Sequence, residues 1–229
     1  MKKAFTLAEV LITLVVIGIV AAITIPIIQQ KYEKRALYSQ FMKTYSTLNQ
    51  AMSMSISMGS GTSGYDLDSI EGSQANAENF LNTYIKPYVR VIKTEPCWGL
   101  KGIKVKHLAG GELGEGCDIQ ALYNASDALI LQDGSAIAVL GTGRDPKAEI
   151  IIDVNAAKGP NVYGRDIHMI NWWANVPKPR ITGSSYNYYN DTYSLRESWY
   201  KNNCNPSGGG DVPGDSCADR LLREGKMAY

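Results

Sequence analysis

The chain has 229 residues, 45% of them hydrophobic, with 23 basic and 22 acidic side chains and a formal charge of +1. That length suits one anchored globular domain of moderate size, and near-neutrality removes any general electrostatic pull on nucleic acid. Two histidines, with no Gly-x-Ser-x-Gly or His-Glu-x-x-His pattern anywhere, give hydrolytic catalysis little to work with.

The first element is an apolar helix. Val10 to Ile28 holds no charged residue, and at about 1.5 Å per residue it covers roughly 28 Å, the thickness of a hydrocarbon core. Lys2 and Lys3 ahead of it form a short basic flank that predicts an N-in, C-out orientation. Glu9 stands at the leading edge of the run, where an acidic group costs about 2.5 to 3.5 kcal/mol at a helix centre. A secretory signal peptide is the competing reading, but the apolar run continues past its small residues to Ile28, and Glu9 sits where such peptides are uncharged. A static single-pass anchor fits the length and leaves Glu9 unexplained.

Beyond Ile28 the helical period continues. Leu37, Phe41, Tyr45, Leu48, Met52 and Ile56 recur at steps of three or four with polar residues between them, so residues 29–58 read as an amphipathic half burying one stripe. Unbroken to Met58, the helix is about 80 Å long, with a bend or local melting expected at Pro26. The "GSGTSG" of residues 59–64 matches a dinucleotide-loop pattern, but no strand precedes it, and it reads as a linker. A second helix is expected over Ala75 to Lys86, closed by Pro87. Lys86, Arg90, Lys93, Lys101, Lys104 and Lys106 face one acid, Glu95, between residues 86 and 106. Gathered on one face they could hold phosphates; a solvated surface, neutralised by the nearby Glu112, Glu115 and Asp118, is the simpler reading.

The clearest sheet signal flanks Asp133-Gly134. Ala128 to Gln132 and Ser135 to Leu140 predict a hairpin with a type I′ turn, Ala148 to Val154 a third strand and Ile167 to Ile170 a fourth, in which His168 is a half-buried sheet residue. The expected fold class is α+β, an antiparallel sheet packed on the amphipathic half of the long helix. Between the third and fourth strands, Asp153, Asn155, Asn161 and Asp166 supply side-chain oxygens, and Gly159 and Gly164 permit tight turns. Hard cations such as calcium take six to eight oxygens. The loop lacks the EF-hand pattern, and the simpler alternative is a turn whose Asp and Asn side chains cap backbone amides.

Ser184 to Tyr200 concentrates five tyrosines and a tryptophan, which suits either a binding surface for sugars or neighbouring subunits or a flap packed on the sheet. Cys97, Cys117, Cys204 and Cys217 all lie on the predicted outer side, where disulfides form. Neighbours in sequence are paired here, Cys97 with Cys117 and Cys204 with Cys217, although four cysteines allow three connectivities. Cys-x-x-Cys spacing, which a zinc site would call for, is absent.

The N-terminal residues carry a resemblance. "KKA" followed by "FTLAEVLITLVVIGIVAAITIP" resembles the leader and first helix of type IV prepilins and of the related pseudopilins of type II secretion. The resemblance implies a leader of residues 1–4, cleavage by prepilin peptidase between Ala4 and Phe5, and N-methylation of Phe5. It further implies a filament-core helix over residues 5–28, with Glu9 fifth in the mature chain and Pro26 at the family's kinking position, and an extracytoplasmic pilin-like head over residues 59–229. Ala4 departs from the family, which usually carries Gly before the cut. Loss of Lys2 and Lys3 takes the formal charge from +1 to −1. Cleavage creates a cationic amine at Phe5, which gives Glu9 of a neighbouring subunit a partner, so Glu9 reads as an assembly device.

The implied partners are prepilin peptidase, an inner-membrane assembly platform, the membrane and other subunits of a pilus or pseudopilus, with nucleic acid unlikely. The implied location is the inner membrane and then an extracytoplasmic filament or the cell surface. Major pseudopilins place a calcium site in a broadly comparable late loop, which makes calcium the one cofactor considered. A minor or tip subunit binding DNA, glycans or surfaces is the rival within this class. A monomeric membrane-anchored binding protein or hydrolase is the rival outside it.

Overall fold

A computed structural model describes residues 6–60, 65, 73–116, 125–144, 147–184, 186–187, 192–193, 202–207, 214 and 216–229. The chain divides into two compact units, residues 1–36 and 37–229. It has a long N-terminal helix followed by a curled mixed sheet, an α+β pilin-like architecture.

Helix α1 runs from Leu7 to Ser55. In the first unit its side chains lie on the surface, including Leu11, Ile12, Ile17 and Ile23, each more than half exposed. The hydroxyls of Thr13 and Thr24 donate to the carbonyls of Val10 and Val20, both at 2.9 Å. An apolar surround therefore meets no unsatisfied hydroxyl there. Local melting at Pro26 is not seen. The helix continues through it, because a proline withholds a single amide, the one that would reach the Ala22 carbonyl, and the bonds on either side hold the turn.

The second unit begins where α1 acquires a buried stripe, Leu37, Phe41, Thr44, Leu48, Ala51, Met52 and Ser55. The helix leaves α geometry in a π-turn over Ile56–Ser60, where Gly59 has φ 131°, a value that side chains strongly disfavour. Helix α2, Gln74–Phe80, starts at Ser73, whose hydroxyl accepts the Asn76 amide. It widens into a π-turn (Leu81–Ile85) and then tightens into a 3₁₀ turn (Lys86–Tyr88) that contains Pro87.

Among the described residues nine strands form one sheet. They are β1 (Val91–Glu95), β2 (Lys104–His107), β3 (Glu112–Glu115), β4 (Ala128–Leu131), β5 (Ala136–Arg144), β6 (Lys147–Asp153), β7 (Val162–Tyr163), β8 (Ile167–Trp173) and β9 (Arg180–Gly183). Their spatial order is β1-β4-β5-β6-β8-β7-β2-β3, with β9 also beside β8. A separate ribbon pairs β10 (Tyr186–Asn187) with β11 (Thr192–Tyr193). The expectation of a purely antiparallel sheet is corrected: β7 runs parallel to both β2 and β8. The chain between β6 and β8 doubles back, and a two-residue piece of it fills the space between β8 and β2.

The type I′ turn is also corrected. Leu129 pairs with Ile137 and Ile130 with Ala136, leaving a three-residue loop in which only Gly134 has positive φ, 87°. The Gly134 amide donates to Leu131, and the Leu131 amide donates to Ser135. This is a type I turn closed by a glycine bulge. The register is fixed by burial, because a shift of one residue would exchange the two faces of β5.

Both faces of the central strands are covered, which explains the near-continuous apolar runs of β4 and β6. Ile137, Val139, Ile150, Ile152, Ile170 and Trp172 share one core with Phe41 and Leu48 of α1, Phe80 of α2 and Leu221. Ala136, Ala138, Leu140, Ile151 and Ile167 share a second core with Leu100 and Val105. The Tyr45 hydroxyl donates to the Ile181 carbonyl at 2.8 Å, pinning α1 to β9.

The last helix, α3, spans Cys217–Glu224. It packs so closely on β9 that a methyl group at Gly183 would overlap Asp219. Cys204 and Cys217 are disulfide-bonded across 13 residues, and Arg220 of α3 donates to the Cys204 carbonyl at 2.7 Å. Cys97 is also disulfide-bonded, while Cys117 lies outside the described residues. Replacing Cys204 and Cys217 together by serine is expected to cost about 3 kcal/mol, chiefly by freeing the unfolded chain, read as a lower midpoint in urea without loss of the helix signal.

Candidate functional site

Two regions carry the chemistry, one in each unit. At the start of α1, Thr6 and Glu9 bond reciprocally. The Thr6 amide and hydroxyl both donate to Glu9 Oε2 at 2.8 Å, and the Glu9 amide donates to the Thr6 hydroxyl at 3.3 Å. This is a capping box, in which the N-cap hydroxyl and the carboxylate three residues on satisfy amides that the helix leaves open. The negative charge also faces the positive end of the helix dipole. Glu9 thus has a use inside its own subunit that the reading of the sequence missed. The signal was there, since Thr-Leu-Ala-Glu before an apolar run is the capping-box pattern. Ala4 and Phe5 lie outside the described residues. Pro26 is within α1, 17 positions after Glu9.

The second region is the stretch from β6 to β8. Asp166 is fully buried, and its carboxylate accepts the amides of Asn161 and Val162, each at 2.7 Å. It closes the turn, the capping role that Asp residues take in such loops. Asp153 Oδ1 accepts the Asn155 amide at 3.1 Å, and the Asn155 side-chain amide donates to the Gly159 carbonyl at 2.6 Å. Three oxygens of this stretch are buried with no hydrogen-bond partner among the described residues: Asp153 Oδ2, Asn155 Oδ1 and Asn161 Oδ1. Ala156 and Asn161 have φ of 50° and 55°, a left-handed conformation that costs non-glycine residues energy.

Burial, and then the neighbouring Asp166, hold the Asp153 carboxyl well above the usual carboxylate range. Burial also raises Asp166, against the pull of the amides it accepts. A cation would reverse both penalties. No group of three or more His, Cys, Asp and Glu able to hold a metal exists among the described residues, so a soft or nitrogen-seeking metal has no site there. The unmet acceptors of Asp153, Asn155 and Asn161 are oxygens, the atom type that a hard cation such as calcium takes, while both Asp166 oxygens are already engaged by amides.

His168 follows directly. Its Nε2–H donates to the Arg165 carbonyl at 3.1 Å, which requires that nitrogen to carry the proton, and Nδ1 is buried without a partner among the described residues. Its ring meets Phe41 of α1 edge-on, centroids 4.8 Å apart. Expected to be half-buried, it is fully buried. Two members of the basic run of residues 86–106 are paired with acids. Lys93 pairs with Glu95 at 2.5 Å on β1, and Lys104 with Glu112 at 3.1 Å between β2 and β3.

Comparison with known proteins gives two family matches. Residues 1–25 match the prokaryotic N-terminal methylation motif, and residues 27–113 match a family of unknown function, DUF6613. No curated protein matches the chain, and no solved structure does.

Proposed function

From a chain that is type IV prepilin-like, we propose a structural subunit that prepilin peptidase trims between Ala4 and Phe5, that is N-methylated at Phe5, and that polymerises through α1 into a type IV pilus or a secretion pseudopilus. Before assembly the apolar half of α1 holds it in the inner membrane with its N-terminus inside. The observation that carries this reading is the methylation motif at residues 1–25 together with the 49-residue helix that starts at Leu7. A helix of that length suits lateral packing in a filament better than a compact enzyme.

The chemistry of assembly follows from the helix. Leaving lipid for a bundle of like helices exchanges one apolar surround for another and costs little hydrophobic energy. Thr13 and Thr24 need no outside partner in either place. The carboxylate of Glu9 gains most from the exchange, because the cleaved neighbour presents a cationic amine at Phe5. Intact mass and N-terminal sequencing of the protein recovered from its host's membranes are expected to give a chain starting at N-methyl-Phe5. A chain starting at Met1 would replace the filament reading with a static anchor.

The unmet oxygens of Asp153, Asn155 and Asn161 favour a second reading, in which the loop between β6 and β8 holds calcium and so stiffens the end of the sheet. Asp153 would supply the charge, Asp166 would continue to close the turn, and the ion would supply the positive charge that burial otherwise denies both. Titration calorimetry is expected to show one calcium per chain for the wild type and none for Asp153→Asn, with chelator lowering the melting temperature of the wild type alone. Absence of binding would leave a capped turn.

A further inference from the structure

Within the second unit an open groove of about 540 Å³ lies between α1, the residues leading into β1 and the β4–β5 turn. Its lining mixes planar polar groups with apolar ones. Asp133 is fixed there: Oδ1 accepts the Ser135 amide at 3.1 Å and the Ser135 hydroxyl at 2.7 Å, and Oδ2 meets Lys43 at 3.2 Å. The Ser135 and Lys43 contacts hold its carboxyl below the usual range despite partial burial, so it is an ionised acceptor at neutral pH. Gln50 and Gln132 add amides, and Tyr88 adds a ring. Arg90 also lines the groove, is exposed, and makes no ion pair among the described residues.

We propose that this groove binds an oligosaccharide that carries a carboxylate. Sugar hydroxyls both donate and accept, and they are matched by a fixed carboxylate together with side-chain amides that do both. The ring of Tyr88 and the apolar atoms of Met54 and Leu131 suit the C–H faces of a pyranose. A sugar carboxylate gives Arg90 a bidentate partner. A nucleic acid is disfavoured because the groove offers two cations, one of them already spent on Asp133, where backbone recognition needs many. An apolar helix would cover Arg90 without giving its charge a partner. The assignment stands whether or not the chain polymerises.

Tetragalacturonate is the probe, titrated calorimetrically into the full-length protein in a detergent without a sugar headgroup. Saturable one-to-one binding is expected, weakened at least about tenfold in Arg90→Gln by loss of a charge-assisted bidentate contact. The contact of Arg90 with the Gln132 amide, 3.1 Å, is made by its backbone carbonyl and survives the substitution, so that variant should melt with the wild type. Maltotetraose, which lacks the carboxylate, should bind at least as weakly as the probe binds Arg90→Gln. The proposal is overturned by no binding, by binding that Arg90→Gln leaves intact, by equal binding of maltotetraose, or by equal binding of tetraglutamate, which would make the groove a site for acidic peptides.

Discussion

Lowering the pH from 6.5 to 4 will cost the wild-type protein about 3 kcal/mol more stability than it costs a His168→Gln variant. Burial alone pushes the His168 imidazole down from its ordinary 6.5 to about 4, against the Arg165 carbonyl that would favour the charged ring. The unfolded chain therefore takes up a proton as pH falls below 6.5, whereas the folded chain resists until about 4. The folded state is favoured in full above 6.5, and that advantage is lost progressively across the window down to 4. Protonation would add an N–H at Nδ1, which has no partner among the described residues, to a buried ring packed on Phe41. Glutamine keeps an N–H for the Arg165 carbonyl and removes the titration.

The comparison has to be a difference between proteins, because Asp153 slopes the other way. Its carboxyl is raised, so the folded chain holds that proton to higher pH than the unfolded chain does, and its contribution favours folding at low pH and fades as pH rises. Urea unfolding followed by tryptophan fluorescence at several pH values gives both curves. Parallel curves for wild type and His168→Gln would mean that the ring is hydrated in solution and that the seam between α1 and β8 is looser than its geometry.

Elements with a strong period were legible in the sequence, and those defined by partners were not. The stripe Leu37, Phe41, Leu48 and Met52 is readable because each residue buries itself on the same side of α1 whatever the sheet does. The hairpin at Asp133-Gly134 was readable as a hairpin. Its loop length was not, because Asp-Gly serves both a two-residue turn and a bulge and only the facing pairs Leu129–Ile137 and Ile130–Ala136 choose between them. Strand β1 escaped notice for a different reason. It lies at the sheet edge, with Ile92, Lys93 and Thr94 all exposed, so burial imposes no alternation on it, and its lysine drew attention only as charge. A bulge at Ile92 and the Lys93–Glu95 pair also blunt that edge against pairing with other chains. In the loop after β6 the residue types suggested oxygen ligands, but which oxygens were already engaged depended on the fold. Asp166 turned out to be committed to two amides and Asp153 to one.

Glu9→Gln and Glu9→Ala will both lose filament incorporation by a factor of a hundred or more, and the comparison between them locates the cause. Removing one partner of a buried ion pair typically costs about 3 to 5 kcal/mol, which is on the order of a hundredfold or more in an equilibrium constant. Losing a helix cap costs about 1 kcal/mol, too little to stop assembly alone. Glutamine keeps a side-chain oxygen for the amide and hydroxyl of Thr6, which now donate to Oε2, and removes only the charge. Alanine removes both. If the charge serves a neighbour's Phe5 amine, the two variants fail alike, with the protein processed normally but confined to membranes when sheared filaments and membrane fractions are blotted. If Glu9→Gln assembles like the wild type while Glu9→Ala fails, the carboxylate acts as a cap within its own subunit, and its placement before the apolar run is explained by Thr6 alone. Retention of assembly in both would separate Glu9 from polymerisation and turn attention to the packing of α1 itself.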